Sequence, residues 1–261
     1  MIYRFFAQTD PGLIRENNED SVLFDEATGV GVLADGMGGY NAGEVASGMA
    51  TSAVTGEMRR WMAEAGATAG PREIRRALEI CVDNANAAIF NAANANAQYS
   101  GMGTTLVAGV FRGVRLVLGH IGDSRCYRLR GGEFSQITKD HSLLQEQIDA
   151  GLLTPEQAAV SVNKNLVTRA LGVDAAVLLE VNEHLVEVGD IYLMCSDGLS
   201  DMMSDREIAE ILQMPVAPEQ RAKTLIDTAN AHGGRDNITV LLVQAEAAPE
   251  KRGLIARLLG K

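Results

Sequence analysis

Several things are missing from this sequence, and each absence excludes a class. No apolar run approaches the roughly 18 residues of a membrane-spanning helix. Residues 1–12, MIYRFFAQTDPG, lack the basic stretch and long apolar core of a secretory signal. A soluble protein of the cytoplasm, without a transmembrane segment, is therefore expected. Cysteine is scarce. Cys81, Cys126 and Cys195 are odd in number, show no CxxC spacing, and read as buried free thiols. Basic residues are few, 23 against 34 acidic ones, for a formal net charge of −11. That balance argues against a nucleic-acid binder, which would carry a basic face. It suits a solvated surface and a collector of divalent cations equally. The four histidines, His120, His141, His184 and His232, form neither HExxH nor a His-Cys pairing, so they read as scattered and no zinc centre is expected. There is no G-K-[ST] ending of a P-loop and no G-x-S-x-G elbow. Gly122-Asp123-Ser124 resembles the GDS of certain serine esterases, but it lies mid-chain and no histidine has an Asp three residues before it.

What is present is a chain of 261 residues, long enough for a sizeable core. IYRFFAQ, SVLF and VGVLA read as strands. Helical spacing runs from Gly43 to Ala63, and Pro71 opens a second helix whose stripe is Ile74, Leu78, Cys81, Ala85 and Ile89. TTLVAGVF and VRLVLGHI form a hairpin joined at Arg112-Gly113, and CYRLR pairs with FSQIT. Residues 141–175 are loop-rich with a short helix near 142–150. AVLLEVNEHLVEV and IYLMC are strands, Ser204 and Glu207 make a capping box, Pro218 starts another helix, and NITVLLVQAE is a last strand. Hairpins outnumber βαβ units and helices come in pairs. The expected fold is α+β: a four-layer αββα sandwich of two largely antiparallel sheets flanked by antiparallel helix pairs. One domain is expected over 1–246, followed by a tail, 247–261, with Leu254, Ile255, Leu258 and Leu259 on one side and Lys251, Arg252, Arg257 and Lys261 around them.

One pattern recurs along these strands. VGVLA runs into Asp35, LVLGHI into Gly122-Asp123, and IYLMCS into Asp197-Gly198, while Asp20 precedes SVLF and Asp236 precedes ITVLLV. A single Asp there is an ordinary turn former. Five on the same logic suggest carboxylates gathered at one edge of a sandwich, where mutual repulsion demands cations. Oxygen-only donors select Mg²⁺ or Mn²⁺ over zinc. Gly36, Gly38 and Gly39 allow the backbone to approach an ion or phosphate. Arg15, five residues before Asp20, offers a planar fork for a phosphate.

RENNED, LADGMGG, SGMGTTLVA, IGDSRCYRLR, LVTRALG, MCSDGLSD and GGRDNITVLLV occur in the order found in metal-dependent protein serine/threonine phosphatases of the PPM type, also called protein phosphatase 2C. Each motif alone is weak; seven in order are specific, and the resemblance spans about residues 3–245. It implies hydrolysis of phosphoserine and phosphothreonine by metal-activated water, without a phosphoenzyme. By motif match Asp35 bridges two metals and the Gly36 carbonyl completes one of them. Asp197 and Asp236 hold the other metal, and Asp123 shares a third, weaker one with Asp197. Glu19 and Asp20 act near the metals, partly through water, and Arg15 grips the phosphate. Residues 141–175 correspond to the family's variable flap. Where many eukaryotic members carry a histidine as general acid, this chain has Met37, and His141 is a candidate substitute. The partners implied are phosphorylated proteins of a bacterial Ser/Thr kinase system, met by a monomer. The non-catalytic alternative is a silent phosphatase-like scaffold, but such decoys typically lose metal carboxylates and none is missing here.

Overall fold

The computed structural model describes residues 1–38, 42–65, 68–154, 157 and 166–248. The tail 249–261 and the middle of the expected flap lie outside the described residues, as does Gly39. Eleven strands are described: β1 (Ile2–Asp10), β2 (Asp20–Asp25), β3 (Val30–Met37), β4 (Gly103–Thr104), β5 (Leu106–Arg112), β6 (Arg115–Ile121), β7 (Arg125–Arg130), β8 (Glu133–Gln136), β9 (Glu180–Leu185), β10 (Ile191–Cys195) and β11 (Ile238–Glu246). The helices are α1 (Ala42–Ala65), α2 (Pro71–Ala95), α3 (Leu143–Asp149), α4 (Asp197–Ser200), α5 (Asp205–Leu212) and α6 (Pro218–Ala231).

The strands form two sheets, ordered β1-β11-β10-β7-β8 and β2-β3-β5-β6-β9, with β4 joined to β3. Every strand pairing is antiparallel. Side chains alternate across a strand, and here each face of a strand meets a different apolar layer. In β3, Val30, Val32 and Ala34 join a core with α1 and α2, whereas Leu33 points between the sheets. In β11, Ile238, Val240 and Leu242 face α5 and α6, whereas Leu241 and Val243 pack inward with Phe5, Phe111 and Tyr192. Three apolar layers therefore separate four structural layers, the expected αββα sandwich. Strands buried on both faces explain why their apolar runs are nearly continuous rather than alternating with polar residues.

The helices form where local chemistry favours them. Pro71 sits in the first turn of α2, and its stripe Ile74, Leu78, Cys81, Val82, Ala85 and Ile89 is buried. The Asn84 side chain bonds Glu57 across the helix pair, and Trp61 and Glu64 line one groove with Arg72 and Arg76, so the start of α2 lies beside the end of α1 and the two run antiparallel. Ser204 and Glu207 close their reciprocal capping box on α5. The buried face of α1 begins with Ala42, Gly43, Ala46 and Ser47, side chains small enough to bring its backbone against β3.

Some expectations change. The β5–β6 turn is Gly113-Val114, since Arg112 pairs with Arg115. The ninth strand is only Glu180–Leu185, because Asn86 of α2 takes the carbonyls of Asp174 and Ala175 and holds the preceding segment on the helix. β3 runs two residues past Asp35, so that carboxylate sits within a strand rather than at its end. Neither the two-residue β4 nor the four-residue α4 is long enough to show periodicity. Gly36, expected as glycine for ion access, also has a packing reason. A Cβ there would lie 2.2 Å from the Gly43 carbonyl oxygen and 2.6 Å from that of Glu19.

That contact yields a test. Gly36→Ala sets a methyl against two backbones and is expected to cost more than about 2 kcal/mol of stability in urea denaturation. At Gly109 the nearest obstruction is the flexible end of Met194, at 2.5 Å, so Gly109→Ala is expected to cost less than about 1 kcal/mol. Equal costs would mean that β3 and α1 are not held at this spacing.

Candidate metal centre

The acidic residues singled out from the sequence converge at one end of the sandwich. A cleft of about 210 Å³ is lined by Asp35 and Gly36 of β3, Asp123 of the β6–β7 turn, Asp197 at the start of α4, and Asp236 just before β11. Arg15 and Glu19 of the β1–β2 loop complete its rim, with Met37, Thr105 and Val167 between them. Asp20 stands behind this wall as the direct cross-strand partner of Asp35, and it is only 9 % exposed. All eight expected residues are thus brought together, from five separate stretches of chain.

Neighbouring side chains fix their positions. The Asp35 N–H donates to Thr105 Oγ1 at 3.0 Å, and its carbonyl accepts from Thr104 Oγ1 at 2.8 Å and from the Thr105 N–H at 2.9 Å. Thr105 Oγ1 in turn shares a 2.8 Å hydrogen bond with Ser124, which couples Asp35 to the turn holding Asp123. Ser196 donates to Asp20 Oδ2 at 2.7 Å while accepting from the Thr239 N–H at 3.0 Å. Asp236 Oδ1 accepts from the Asn237 N–H, and its Oδ2 accepts from Arg15 at 2.8 Å. The sequence gave no sign of Thr105, Ser124, Ser196 or Asn237 as supports. Adjacency to an acidic residue in GDS, CSD and RDN was the signal available for Ser124, Ser196 and Asn237, whereas Thr105 has no acidic neighbour in sequence.

Electrostatics dominates the cleft. Burial, followed by the charges of Asp20, Asp197, Asp123 and Asp236, pushes the Asp35 carboxyl well above the usual range. Asp197 is raised likewise by burial, then by Asp123, Asp201 and Asp236. Burial lifts Asp20 to about 6 despite the Ser196 hydrogen bond, and lifts Asp123 to about 6 with Asp140 adding to the effect. Glu19 is raised by burial, against the pull of Arg15. Carboxylates so placed hold protons unless positive charge arrives, and among the described residues Arg15 bonds Asp236 alone. Asp20 Oδ1 is buried and has no hydrogen-bond partner among the described residues. An all-oxygen donor set, mutual repulsion and an orphaned carboxylate oxygen together fit hard divalent cations.

The histidines are not all scattered. His120 and His141 stack, with ring centroids 4.7 Å apart at 19°, and with Glu180 their donor atoms lie within 4.8 Å of one another. The group is nevertheless poorly suited to a metal. The Gly122 N–H donates to His141 Nδ1, so the ring's proton sits on Nε2, aimed at Glu180 Oε2 3.3 Å away. Near-parallel rings also direct their lone pairs along separate planes. Burial, the largest influence, lowers the His141 pKa and keeps it neutral. His141 lies outside the cleft lining and is tied to Gly122 and Glu180, which removes it as a substitute acid beside Met37. Its position instead fastens the flap base to the GDS turn: its N–H bonds the Gly122 carbonyl, and its own carbonyl accepts from the Thr168 N–H.

Comparison with known proteins agrees with this geometry. The family model described as protein phosphatase 2C matches residues 15–237. The chain is 42% identical over 243 residues to the serine/threonine protein phosphatase PstP of Mycobacterium tuberculosis, covering 93% of this chain and 45% of that protein. It therefore spans about half the length of that curated relative. Similarity to the serine/threonine phosphatase stp of Listeria monocytogenes is 36% over 248 residues, 94% of this chain and 97% of that one. The crystal structure of the PstP catalytic domain in complex with two manganese ions superimposes with a TM-score of 0.81 at 40% identity, covering 94% of this chain and 99% of that chain.

The raised carboxyls carry a pH signature. A carboxyl whose folded pKa lies above its unfolded value keeps a proton that the unfolded chain has released. The metal-free protein therefore loses stability as pH rises from about 4 through about 6, the value for Asp20 and Asp123. Mn²⁺ relieves the repulsion only where the groups are ionised. At about a hundredfold excess over its Kd, Mn²⁺ is expected to raise Tm by about 5–10 °C at pH 7.5. The gain at pH 5.0, at the same metal concentration, should be less than half as large. Equal gains at both pH values would mean that these carboxylates do not bind the cation.

Proposed function

The chain belongs to the protein phosphatase 2C family, and from that premise we propose that it hydrolyses phosphoserine and phosphothreonine in phosphorylated proteins with Mn²⁺ or Mg²⁺ as cofactor. The observation that carries the reading is the convergence of Asp35, Asp123, Asp197 and Asp236 on one cleft beside an arginine. When bound there, the cations polarise phosphoryl oxygens and acidify a water positioned for in-line attack.

The roles follow from position. Asp35, whose carboxyl feels the charges of Asp20, Asp123, Asp197 and Asp236, would serve as the ligand common to the cations, with the Gly36 carbonyl assisting it. Asp197 and Asp236 would hold a second ion, and Asp123 with Asp197 would hold a third, weaker one. Asp20 and Glu19 act behind and beside these ligands, Asp20 through the oxygen that Ser196 leaves free. Arg15 is the substrate-phosphate residue: its guanidinium is half exposed at the rim, and its Asp236 bond uses only one of its five N–H donors. Among the described residues the lining offers no cysteine or serine, and its one hydroxyl is occupied. The Thr105 hydroxyl is engaged by the Asp35 N–H and by Ser124, which supports direct hydrolysis without a phosphoenzyme. Met37 has no proton to donate, so the leaving oxygen is protonated by another group. An intact carboxylate set also argues against a silent scaffold.

Residues 1–246 form the phosphatase domain in this reading, with 141–175 as its flap. None of the described helices is long and apolar enough to cross a membrane. A cytoplasmic monomer opposing a bacterial Ser/Thr kinase completes the proposal.

Turnover of p-nitrophenyl phosphate is expected with Mn²⁺ and should vanish with EDTA. Asp35→Asn is expected to lower kcat by about a thousandfold or more while the metal-free protein melts no lower than wild type, because a repelling charge is gone. Near-normal kcat in that variant would overturn the bridging role. Arg15→Ala is expected to raise KM about tenfold with little change in Mn²⁺ affinity. An unchanged KM would remove Arg15 from phosphate binding.

A further inference from the structure

Asn237, the residue after Asp236, makes three side-chain hydrogen bonds, all to the backbone of a single loop. It is 5 % exposed. Its Nδ2 donates to the Pro11 carbonyl at 3.0 Å and to the Asn17 carbonyl at 2.9 Å, and its Oδ1 accepts from the Glu19 N–H at 2.7 Å. Both N–H donors are therefore used within this loop, and the amide oxygen accepts from it as well. The orientation is unambiguous, because two carbonyls require the NH₂ end and one N–H requires the oxygen. The three backbone groups bracket Arg15 on both sides. The Leu13 N–H adds a 2.7 Å bond to the Gly234 carbonyl, from the same turn that leads into Asp236.

We propose that Asn237 is a positioning residue for substrate phosphate: it fastens the loop carrying Arg15 to the strand end carrying Asp236, and so sets the distance between the phosphate-gripping guanidinium and the metal ligands. The argument rests on the phosphatase reading for the role of Arg15. A free eleven-to-nineteen loop would place that guanidinium over a range of positions, since its side chain is half exposed and, among the described residues, bonded to Asp236 alone. Buried amide bonds to the backbone remove that freedom before substrate arrives, and this preorganisation lowers the entropic cost of binding. No other side chain among the hydrogen bonds described joins three points of the loop.

The test is a double-mutant cycle on the Mn²⁺-loaded protein, comparing wild type with N237A, N237D, R15A and R15A/N237A. Inorganic phosphate binding is measured by calorimetry, with KM and kcat on p-nitrophenyl phosphate beside it. N237A should weaken phosphate binding and raise KM about five- to tenfold, with kcat and Mn²⁺ affinity changed less than about threefold. On the R15A background the same substitution should add less than about twofold, because the residue acts through Arg15. N237D keeps the acceptor for Glu19 but cannot donate to Pro11 or Asn17, so it should behave as N237A does and reports even if the alanine variant fails to fold. Unchanged phosphate affinity in either variant, the full loss recurring on R15A, or unfolding of both variants would overturn the assignment. Wild-type protein that hydrolyses nothing would instead overturn the phosphatase reading, while the phosphate titration still decides the role of Asn237.

Discussion

Repulsion among buried carboxylates is the constraint on which this structure turns. Asp20, Asp35, Asp123 and Asp197 are drawn into a small region of low dielectric, where each pushes its neighbours toward protonation. Isolated from cations, such a cluster opposes its own fold. The hydrophobic layers on both faces of each sheet supply the opposing stability, and the cluster is confined to one end of the sandwich, clear of those layers. The site is therefore a local instability held in place by a large core, and divalent cations turn it into an asset.

Rigidity at that end comes from short polar bonds rather than from packing. Thr104 and Thr105 grip the backbone of Asp35, Ser124 passes that grip to the Asp123 turn, and Ser196 links Asp20 to β11. Asn237 and His141 do the same for the Arg15 loop and the flap base. Metal chemistry depends on ligand positions, and each of these bonds joins one acidic segment to the next. The Arg130–Asp190 pair at the far side of the first sheet is similarly well bonded, yet it touches none of these residues and serves the fold alone.

Much of this was legible in the residues. Strands and helices followed from apolar spacing and caps, and the αββα layering followed from hairpins and paired helices. The acidic positions stood out because five strands met an Asp at or near an end. What stayed hidden depended on distant partners. That Gly36 also yields space to Gly43 and Glu19 shows only in the fold. His141 looked free to donate a proton, but burial lowers its pKa, and its two ring nitrogens are engaged by the Gly122 N–H and by Glu180. The three bonds of Asn237 reach residues more than two hundred positions away, which no local pattern can display. β4 and α4 are set by their neighbours, being too short to carry a period.

The central claim is that acidic groups remote in sequence meet at a place that only divalent ions make tolerable. Anomalous scattering from crystals soaked in Mn²⁺ tests it directly. Manganese peaks are expected within coordination distance of Asp35, Asp197 and Asp236, with a weaker one shared by Asp123 and Asp197. Crystals that show these carboxylates turned apart, with no anomalous density among them, would contradict the account.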